Sequence, residues 1–487
     1  MTKLKQAEKY RPYLHFSPSK NWMNDPNGLI YFKGEYHLFF QHNPHDSKWG
    51  GPMHWGGHAV SKDLVTWDEL PIALYPDEDG TIFSGSAVVD WNNTTGFFPD
   101  QPGGIVAIFT HHLESEVHNP PKQSQGLAYS YDNGRTWIKY RNNPVLKHDS
   151  KVDFRDPKVF WHHSSNKWVM VLATGESISI YSSHNLIDWS FESEFGENIG
   201  SHDGVWECPD LFELKVENNE ESKWVLLVSI GDNPNIDNGS RTQYFVGTFD
   251  GSIFRAEHEG TKWLDYGKDN YAGVSFADIP EEDGRRIYLG GWMSNWRYAN
   301  EVPTHGWRSQ MTIPRELGLR RDKDSYTIIQ VPVQELDYYF TRKEIIKNEW
   351  IGKELRYDFN VSYGMITLNI GNKDAVKYGV NIHHTPTNVT SIIIDTQKNL
   401  LVLDRNKSGI VSFSDNFPIQ QEIKLSDTRK IKLSMIIDSS SIEIFGNGGE
   451  FALTSLVYPD KICEEVSLYA LDGEINVEEG YFLKPNT

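Results

Sequence analysis

Short apolar segments rich in aromatic residues recur along the first two thirds of the chain, with polar turns between them. Five of these segments resemble one another, and they start 56 to 69 residues apart: Tyr36–Phe40, Ile105–Thr110, Lys167–Leu172, Lys223–Ser229 and Arg286–Trp292. Aromatic and β-branched runs of this length, bounded by turn residues, predict β-strands. Their regular spacing indicates a structural repeat.

A second phrase recurs downstream of the repeated strands and combines an Asp or Asn turn with an aromatic residue. Its copies are Ser61–Trp67, Ser130–Trp137, Ser183–Trp189 and a degenerate Gly247–Phe254. The Asp or Asn side chain suits a tight turn between strands, and the ring suits packing between sheets. A unit of about 60 residues with four short strands has the size of a propeller blade. Five copies predict five blades.

The composition and the pattern of apolar residues change after Leu317. Fifteen of the 16 tryptophans precede residue 320, whereas the remainder contains only Trp350. The later part shows short alternating stretches and a glycine-rich turn at Gly446–Gly449, a pattern typical of a β-sandwich. We therefore predict an all-β protein, with a five-bladed β-propeller at 1–325, a connector at 326–348 and a β-sandwich at 349–487. The chemistry is expected in the propeller.

Composition and charge narrow the classes of partner. The 487 residues carry a formal net charge of −20, and an acidic surface repels phosphate. Nucleic acid and membranes are therefore not expected partners, while neutral substrates remain open. No apolar run is long enough for a transmembrane helix. The two cysteines, Cys208 and Cys463, form neither a disulfide framework nor a cysteine-based zinc motif.

The beginning of the sequence bears on localisation. Its first sixteen residues are charged and contain no apolar core of the kind found in a secretory signal. A cytoplasmic location is therefore expected, or an extracellular one if the sequence is that of a processed form. The sequence leaves the oligomeric state open.

Three acidic residues lie in unusual local settings. Asp25 belongs to Trp22–Gly28 (WMNDPNG), Asp156 to FRDPK at 154–158 and Glu207 to WECPD at 206–210. A proline follows each acid, directly or one residue later, and holds the backbone in a non-helical geometry. Asp-Pro pairs also mark ordinary turns. Because the first strands of propeller blades converge on the central axis, however, we expect these three acids to meet there.

Two carboxyl groups that flank an acetal are the usual requirement for glycoside hydrolysis. Glu207 lies between a tryptophan and a cysteine, and desolvation there favours its protonated form, as a general acid requires. Asp25 lies among amide side chains and turn N–H groups that favour an ionised carboxylate. Arg155 similarly favours the charged form of its neighbour Asp156.

The three acidic motifs resemble those of glycoside hydrolase family 32, the β-fructosidases, which include invertases, levanases, inulinases and sucrose-6-phosphate hydrolases. The resemblance continues in Phe83–Ser86, in Gly291–Trp296 and in the second domain at Ser440–Phe445, so it covers nearly the whole chain. It implies a five-bladed propeller bearing the site, followed by a β-sandwich. It also implies retention of configuration through a covalent fructosyl-enzyme, with two carboxyls about 5–5.5 Å apart.

The same resemblance implies roles for individual residues. Asp25 would be the nucleophile, Glu207 the general acid/base and Asp156 the transition-state stabiliser that holds fructose hydroxyls. The residues implied to line the fructose pocket are Asn24, Gln41, Trp49, Phe83, Ser84, Arg155, Asp269 and Trp296, with Trp292 a weaker candidate than Trp296. No cofactor is expected. No metal is expected either, because the pairs His111-His112, His162-His163 and His383-His384 have no glutamate at metal-ligand spacing.

The implied activity is that of a retaining exo-β-fructosidase, which hydrolyses terminal non-reducing β-D-fructofuranoside residues of sucrose, inulin or levan. A sucrose-6-phosphate hydrolase and a fructosyltransferase are alternatives on the same scaffold. A non-catalytic fructan-binding propeller and a protein-interaction propeller are alternatives of another class, and the three acids argue against both. One departure from the family pattern is an extra glycine in Trp55–His58, which we expect to alter the pocket wall near Trp49.

Overall fold

The computed structural model describes residues 8–51, 53–115, 118–236, 239–323 and 325–485. Within these ranges the strands form seven sheets, five in the first part of the chain and two in the second. The helical elements in the described ranges are two short 3-10 segments, His163–Ser165 and Gln334–Tyr339. No helix in this part of the chain has the length and hydropathy needed to span a bilayer.

The first five sheets are the blades of a propeller, and each is built mainly from four antiparallel strands in chain order. The first blade contains β1 (Asn21–Phe32), β2 (Glu35–Asn43), β3 (His54–Ser61) and β4 (Asp68–Leu70). The second contains β5 (Thr81–Val89), β6 (Ile105–Ser115), β7 (His118–Ser130), β8 (Ile138–Lys139) and β9 (Leu146–Lys147). The third contains β10 (Arg155–His162), β11 (Lys167–Ala173), β12 (Ile178–Ser183) and β13 (Ser190–Phe195).

The fourth and fifth blades complete the ring. The fourth contains β14 (Trp206–Lys215), β15 (Ser222–Ile230), β16 (Arg241–Phe249), β17 (Phe254–Ala256) and β18 (Lys262–Trp263). The fifth segment of chain contributes β19 (Tyr271–Ser275), β20 (Arg286–Met293), β21 (Trp307–Arg308), β22 (Gln310–Met311), β23 (Pro314–Asp322) and β24 (Ser325–Pro332). Of these, β21 pairs in parallel with β1 of the first blade, and this pairing ties the last blade to the first.

The innermost strand of each blade is its first strand. In ring order these strands are β1, β5, β10, β14 and β19, and each contacts the next around the axis. Residues at the beginnings of these strands therefore come together although they are far apart in sequence. This arrangement is what assembles the site described below.

The repeated segments of the sequence occupy equivalent places in the five blades. Each apolar segment lies within a second strand, namely β2, β6, β11, β15 or β20, so the prediction of five blades is confirmed. The repeated turn phrases connect third strands to fourth strands. In the first copy, the Asp63 carboxylate accepts hydrogen bonds from the N–H groups of Val65 and Thr66 at 3.0 and 2.8 Å, and the Trp67 indole N–H donates to the Leu64 carbonyl at 3.2 Å.

The second part of the chain is a sandwich of two six-stranded sheets, as predicted. One sheet has the order β25-β36-β27-β32-β33-β34 and the other β26-β35-β28-β29-β30-β31. In chain order the strands are β25 (Arg342–Ile351), β26 (Glu354–Val361), β27 (Gly364–Asn372), β28 (Lys377–His383), β29 (Val389–Asp395), β30 (Leu400–Lys407), β31 (Gln420–Lys424), β32 (Lys430–Asp438), β33 (Ser441–Gly446), β34 (Phe451–Leu456), β35 (Cys463–Leu471) and β36 (Ile475–Lys484). Residues 326–348, the predicted connector, thus include most of β24 and the beginning of β25.

Buried charges join the two domains. Arg315 of the fifth blade is fully buried, and its guanidinium lies 2.6 Å from the Glu443 carboxylate of the sandwich and 3.1 Å from the Asp265 carboxylate. His15, which precedes the first blade, is held between the carboxylates of Asp438 and Glu443, each at 2.7 Å. Every one of these charges has a partner, which is the condition for burying a charge at acceptable cost.

Candidate active site

Each of the three acidic motifs lies at a β-bulge near the beginning of an innermost strand. The pairing with the second strand shifts register between Met23 and Pro26, between Arg155 and Lys158, and between Glu207 and Asp210. A bulge leaves a residue outside the ladder and re-aims its side chain. Proline has no N–H to offer the ladder, so it fits such a position. The repeated acid-and-proline pattern is therefore the sequence signature of bulges that turn side chains towards the axis.

The bulges bring the predicted residues into one cavity at the propeller axis, which encloses about 80 Å³. Ten of the eleven predicted residues line it, together with Met53, which was not predicted. The lining consists of Asn24, Asp25, Gln41, Trp49, Met53, Phe83, Ser84, Arg155, Asp156, Glu207 and Trp296.

Asp25 is held by two hydrogen bonds to its carboxylate. The side-chain amide of Asn24 donates to Oδ1 and the hydroxyl of Ser84 donates to Oδ2, each at 3.0 Å. Asn24 is itself oriented, because its Oδ1 accepts the indole N–H of Trp22 at 2.8 Å. Burial and the nearby Glu207 charge raise the pKa of Asp25 to about 6, against the two hydrogen bonds, which favour ionisation. Asp25 is therefore a fixed carboxylate that is ionised above about pH 6.

Glu207 has a basic partner and a phenolic partner. The guanidinium of Arg155 donates to Oε1 at 3.0 Å, and the hydroxyl of Tyr271 donates to Oε2. Burial raises the pKa of Glu207, Arg155 opposes this shift, and the Asp156 charge adds to it. From the sequence we expected Arg155 to pair with Asp156. The guanidinium of Arg155 lies 3.9 Å from the Asp156 carboxylate and 3.0 Å from that of Glu207, so Glu207 is the closer partner. No motif marked Tyr271, and only the packing of β19 beside β14 brings it to Glu207.

Two backbone N–H groups help to hold Asp156 in place. Its Oδ2 accepts the N–H of Cys208 at 3.0 Å, and its own N–H donates to the Thr110 hydroxyl at 3.0 Å. Both Asp156 and Cys208 have positive φ, +64° and +47°, which is strained backbone of the kind that persists at functional sites. Burial raises the pKa of Asp156 to about 6; Arg155 opposes the shift and Asp25 adds to it.

The Cys208 thiol bridges two of the acids. Its sulfur lies 3.6 Å from a carboxylate oxygen of Asp25 and 3.6 Å from one of Asp156. Burial and the neighbouring carboxylates raise the pKa of this thiol well above its ordinary value. Because only the thiolate is a strong nucleophile, Cys208 acts in this site as a neutral donor between two carboxylates.

Aromatic rings form one wall of the cavity. Trp296 stacks on Trp22 with ring centroids 6.1 Å apart, and Trp49 meets Trp296 edge-on at 5.8 Å. Trp49 is 48% exposed and lies at the mouth, whereas Trp292 is fully buried behind Trp296. Phe83, on the second blade, is stacked on His112 at 4.1 Å. Such rings offer apolar faces on which the C–H surface of a sugar can pack.

The extra glycine in Trp55–His58 is accommodated by a bulge. Phe40 pairs with Gly57 while the next residue, Gln41, pairs with Trp55, so the register shifts there by one residue. A Cβ at Gly57 would lie 1.7 Å from the Phe40 ring, and the position therefore requires glycine. This bulge lies opposite Gln41, which lines the cavity.

The prediction that Asp269 lines the cavity is wrong. Asp269 is fully buried at the contact between the domains, where Arg405 donates to its Oδ2 at 2.5 Å and the Leu456 N–H donates to the same oxygen at 2.8 Å. Its Oδ1 accepts the hydroxyl of Tyr298 at 2.5 Å. These bonds engage both carboxylate oxygens, so Asp269 stabilises the junction of the domains and does not face the cavity.

Comparison with known families covers both domains of the chain. Residues 15–332 match the model described as the glycosyl hydrolases family 32 N-terminal domain, and residues 341–481 match the family 32 C-terminal domain. Levanase of Bacillus subtilis (strain 168) is 47% identical over 490 residues, which span 97% of this chain and 70% of that protein.

Solved structures show the same fold. The exo-inulinase from Aspergillus awamori superposes with a TM-score of 0.89 at 35% identity, and the match covers 98% of each chain. The fructofuranosidase from Schwanniomyces occidentalis, complexed with fructose, also has a TM-score of 0.89, at 34% identity and with 99% of each chain covered. These neighbours agree with the propeller-and-sandwich architecture.

Proposed function

Because this chain belongs to glycosyl hydrolase family 32, we propose that it removes terminal β-D-fructofuranoside residues from the non-reducing ends of sucrose, inulin and levan, with retention of configuration. The observation that carries this proposal is the meeting of Asp25, Asp156 and Glu207 in one small cavity. The similarity to a levanase, to an exo-inulinase and to a fructofuranosidase complexed with fructose supports a fructose-containing substrate.

In the first step Glu207 is the acid and Asp25 the nucleophile. An oxygen of Asp25 forms a bond to the anomeric carbon of the fructosyl unit while the bond from that carbon to the leaving oxygen breaks. The electron pair goes to the leaving oxygen, which takes the proton of Glu207. The two carboxyls repel each other when both are ionised, so they share one proton over the working pH range. The hydrogen bonds that Asn24 and Ser84 donate to Asp25 favour its ionised form, as a nucleophile requires.

In the second step the fructosyl-enzyme ester is hydrolysed. Glu207, now a carboxylate, takes a proton from water as the water oxygen attacks the anomeric carbon and Asp25 leaves. Arg155 and Tyr271 donate to Glu207 and so stabilise its charge between the two steps. The proton taken from water restores the acid for the next cycle.

Asp156 and the aromatic wall position the sugar. The carboxylate of Asp156 accepts hydrogen bonds from hydroxyl groups of the fructosyl unit. The N–H of Cys208 donates to the same carboxylate and keeps it in place. Trp296 packs on the apolar face of the ring. Because hydrogen bonds to sugar hydroxyls strengthen as charge develops on the ring, these contacts favour the oxocarbenium-like transition state.

The shape of the cavity favours action at chain ends. The cavity is small, about 80 Å³, and is bounded by side chains from blades placed around the axis. We infer that a cavity of this size admits one terminal fructosyl unit and not the middle of a polymer chain. The substrate is therefore cut one fructosyl unit at a time.

The neighbouring surface favours a neutral leaving group over a phosphorylated one. A second pocket is lined by Glu176, Ser177, Glu194, Glu197, Asn198 and His202. Gly175, the residue before Glu176, accepts the N–H of Trp206, the residue before Glu207, through its carbonyl. Three carboxylates there repel a phosphate. Sucrose is therefore the expected substrate, and sucrose 6-phosphate a poor one.

The test is release of free fructose from sucrose, inulin and levan by wild type, Asp25→Asn and Glu207→Gln. Each substitution keeps the side-chain size, and we expect at least about a 100-fold loss of kcat. Glu213→Gln is the matched control, since Glu213 is an exposed residue on the same strand as Glu207. Full activity of either site variant would overturn the assignment.

Stereochemistry and leaving group are tested separately. With methanol as acceptor, a retaining enzyme yields methyl β-fructofuranoside, and the α-anomer would refute the two-step mechanism. Comparison of kcat/KM on sucrose and on sucrose 6-phosphate distinguishes the two hydrolases. Oligosaccharide products that outweigh free fructose would indicate a transferase.

A further inference from the structure

A turn and a strand of the second blade bring together three side chains that bind metals in other proteins. They are Asp77 and Asp79, in the turn before β5, and His111 of β6. One ligand atom from each lies within 4.8 Å of the others. Nothing in the local sequence connects them, because the acids precede the histidine by about thirty positions and only the pairing of β5 with β6 brings them together.

His111 is the independent sign that a ligand belongs here. The residue is 1% exposed, and neither ring nitrogen has a hydrogen-bond partner in the described structure. A buried polar group without a partner is unusual and costly. The adjacent His112 differs, since its Nδ1 accepts the amide of Gln123 at 3.1 Å.

The turn holds the two acids in place before any ion binds. Asp77 and Gly80 form an antiparallel bridge, and an oxygen of Asp77 accepts the N–H of Asp79 at 3.0 Å. Gly80 has a φ of +123° and lies so close to the His112 carbonyl that a Cβ there would be 2.4 Å away. The turn is thus packed against β6, on which His111 lies.

A lysine ammonium already occupies part of this cluster. Lys139 of β8 donates to the Asp77 carboxylate and to the Tyr75 carbonyl. Its position shows that the turn attracts a cation, and it also competes with any ion that uses both oxygens of Asp77. Binding must therefore release Lys139 from Asp77.

We propose that Asp77, Asp79 and His111 bind a divalent transition-metal ion, with water in the remaining positions. One imidazole and two carboxylates match Mn²⁺ or Zn²⁺ better than Mg²⁺ or Ca²⁺, which prefer all-oxygen sites. The role is structural. β5 begins at Thr81, directly after the turn, and it carries Phe83 and Ser84 into the catalytic cavity. The ion fixes the beginning of that strand.

The experiment uses the full chain after treatment with a chelator and dialysis. Isothermal titration calorimetry and thermal unfolding are recorded with Mn²⁺, Zn²⁺, Mg²⁺ and Ca²⁺ salts. We expect one site per chain for Mn²⁺ or Zn²⁺ and a higher melting temperature with the ion. Asp79→Asn should weaken binding by about 10- to 100-fold. Glu78→Gln is the matched control, because it removes the same charge from an exposed neighbour in the same turn and should bind as wild type does.

A third variant distinguishes binding of the metal ion from effects of the substitutions on folding. Lys139→Gln removes the competing ammonium, so it should tighten metal binding, an effect that is not expected if the cluster supports folding without binding an ion. For Mn²⁺, electron spin-echo spectra should show coupling to an imidazole nitrogen, and His111→Phe should abolish it. No saturable binding by wild type would overturn the proposal, and so would equal weakening by Asp79→Asn and Glu78→Gln. These measurements do not depend on the hydrolase activity, so the metal site and the proposed function can fail separately.

Discussion

Ser84→Ala tests which carboxyl is the nucleophile. The Ser84 hydroxyl donates to Oδ2 of Asp25 at 3.0 Å, and this bond favours the ionised form of a carboxyl whose pKa burial raises to about 6. Loss of the donor removes part of that support. The pKa of Asp25 should therefore rise, and the acidic limb of the kcat/KM profile should move to higher pH.

The size of the shift follows from the hydrogen bond. A hydrogen bond to a charged, buried group contributes about 1.5 kcal/mol, and about 1.4 kcal/mol corresponds to one pKa unit. The limb should thus move from about pH 6 to about pH 7. With these values the ionised fraction of Asp25 falls about eightfold at pH 5.5 and hardly at all at pH 8.

The assay is the initial rate of fructose release from sucrose well below KM, measured from about pH 4.5 to 8.5 with wild type and Ser84→Ala. The ratio of the losses at pH 5.5 and pH 8 cancels any loss that does not depend on pH, such as a missing contact to the sugar. A parallel drop at all pH values, or an acidic limb that stays in place, would refute the assignment of that limb to Asp25.

Three further predictions concern the neighbours of the site and the domain junction. Tyr271→Phe removes a donor to Glu207, so the basic limb of kcat/KM should move to higher pH while the acidic limb stays; a moved acidic limb would reverse the two roles. The pKa of His15 is raised from 6.5 to about 9 between its two buried carboxylate partners. Its contribution to stability is therefore complete below about pH 6.5 and is lost as the pH rises through about 9, and the melting temperature of wild type should fall over that range more steeply than that of His15→Gln. Asp269→Asn leaves Arg405 buried without its anionic partner, so chemical denaturation should show a loss of about 3–5 kcal/mol, whereas the KM for sucrose should not change; a raised KM would return Asp269 to the sugar site.

The sequence identified some strands better than others, and burial explains why. The second strand of each blade is covered on both faces and reads as a continuous apolar run; in β11, for example, six of seven residues are buried. The first strands carry polar residues at their beginnings, where they face the cavity, so an apolar pattern does not mark them there. Their motifs stood out for another reason, namely the prolines that the bulges accommodate.

Two residues near the site were not predicted correctly, and the reason is the same for both. Asp269 lies two positions before Tyr271, the first residue of β19, yet Asp269 contacts the sandwich and Tyr271 contacts Glu207. Nothing in the local sequence distinguishes these directions, because the partners, Arg405 and Glu207, come from other parts of the chain. The same holds for His111 and the acids of the preceding turn.

The sequence by itself determined the repeat, the two all-β domains and the chemistry of three acids, because strand periodicity, turn residues and bulge prolines are local properties. Tertiary structure alone decided most of the donors that each acid receives, since all of them except Asn24 come from other blades. Arg155 serves Glu207 more closely than Asp156, Ser84 and Asn24 hold Asp25, and Cys208 joins Asp25 to Asp156. Burial at the axis then sets the proton affinities, and burial is a property of the closed ring as a whole.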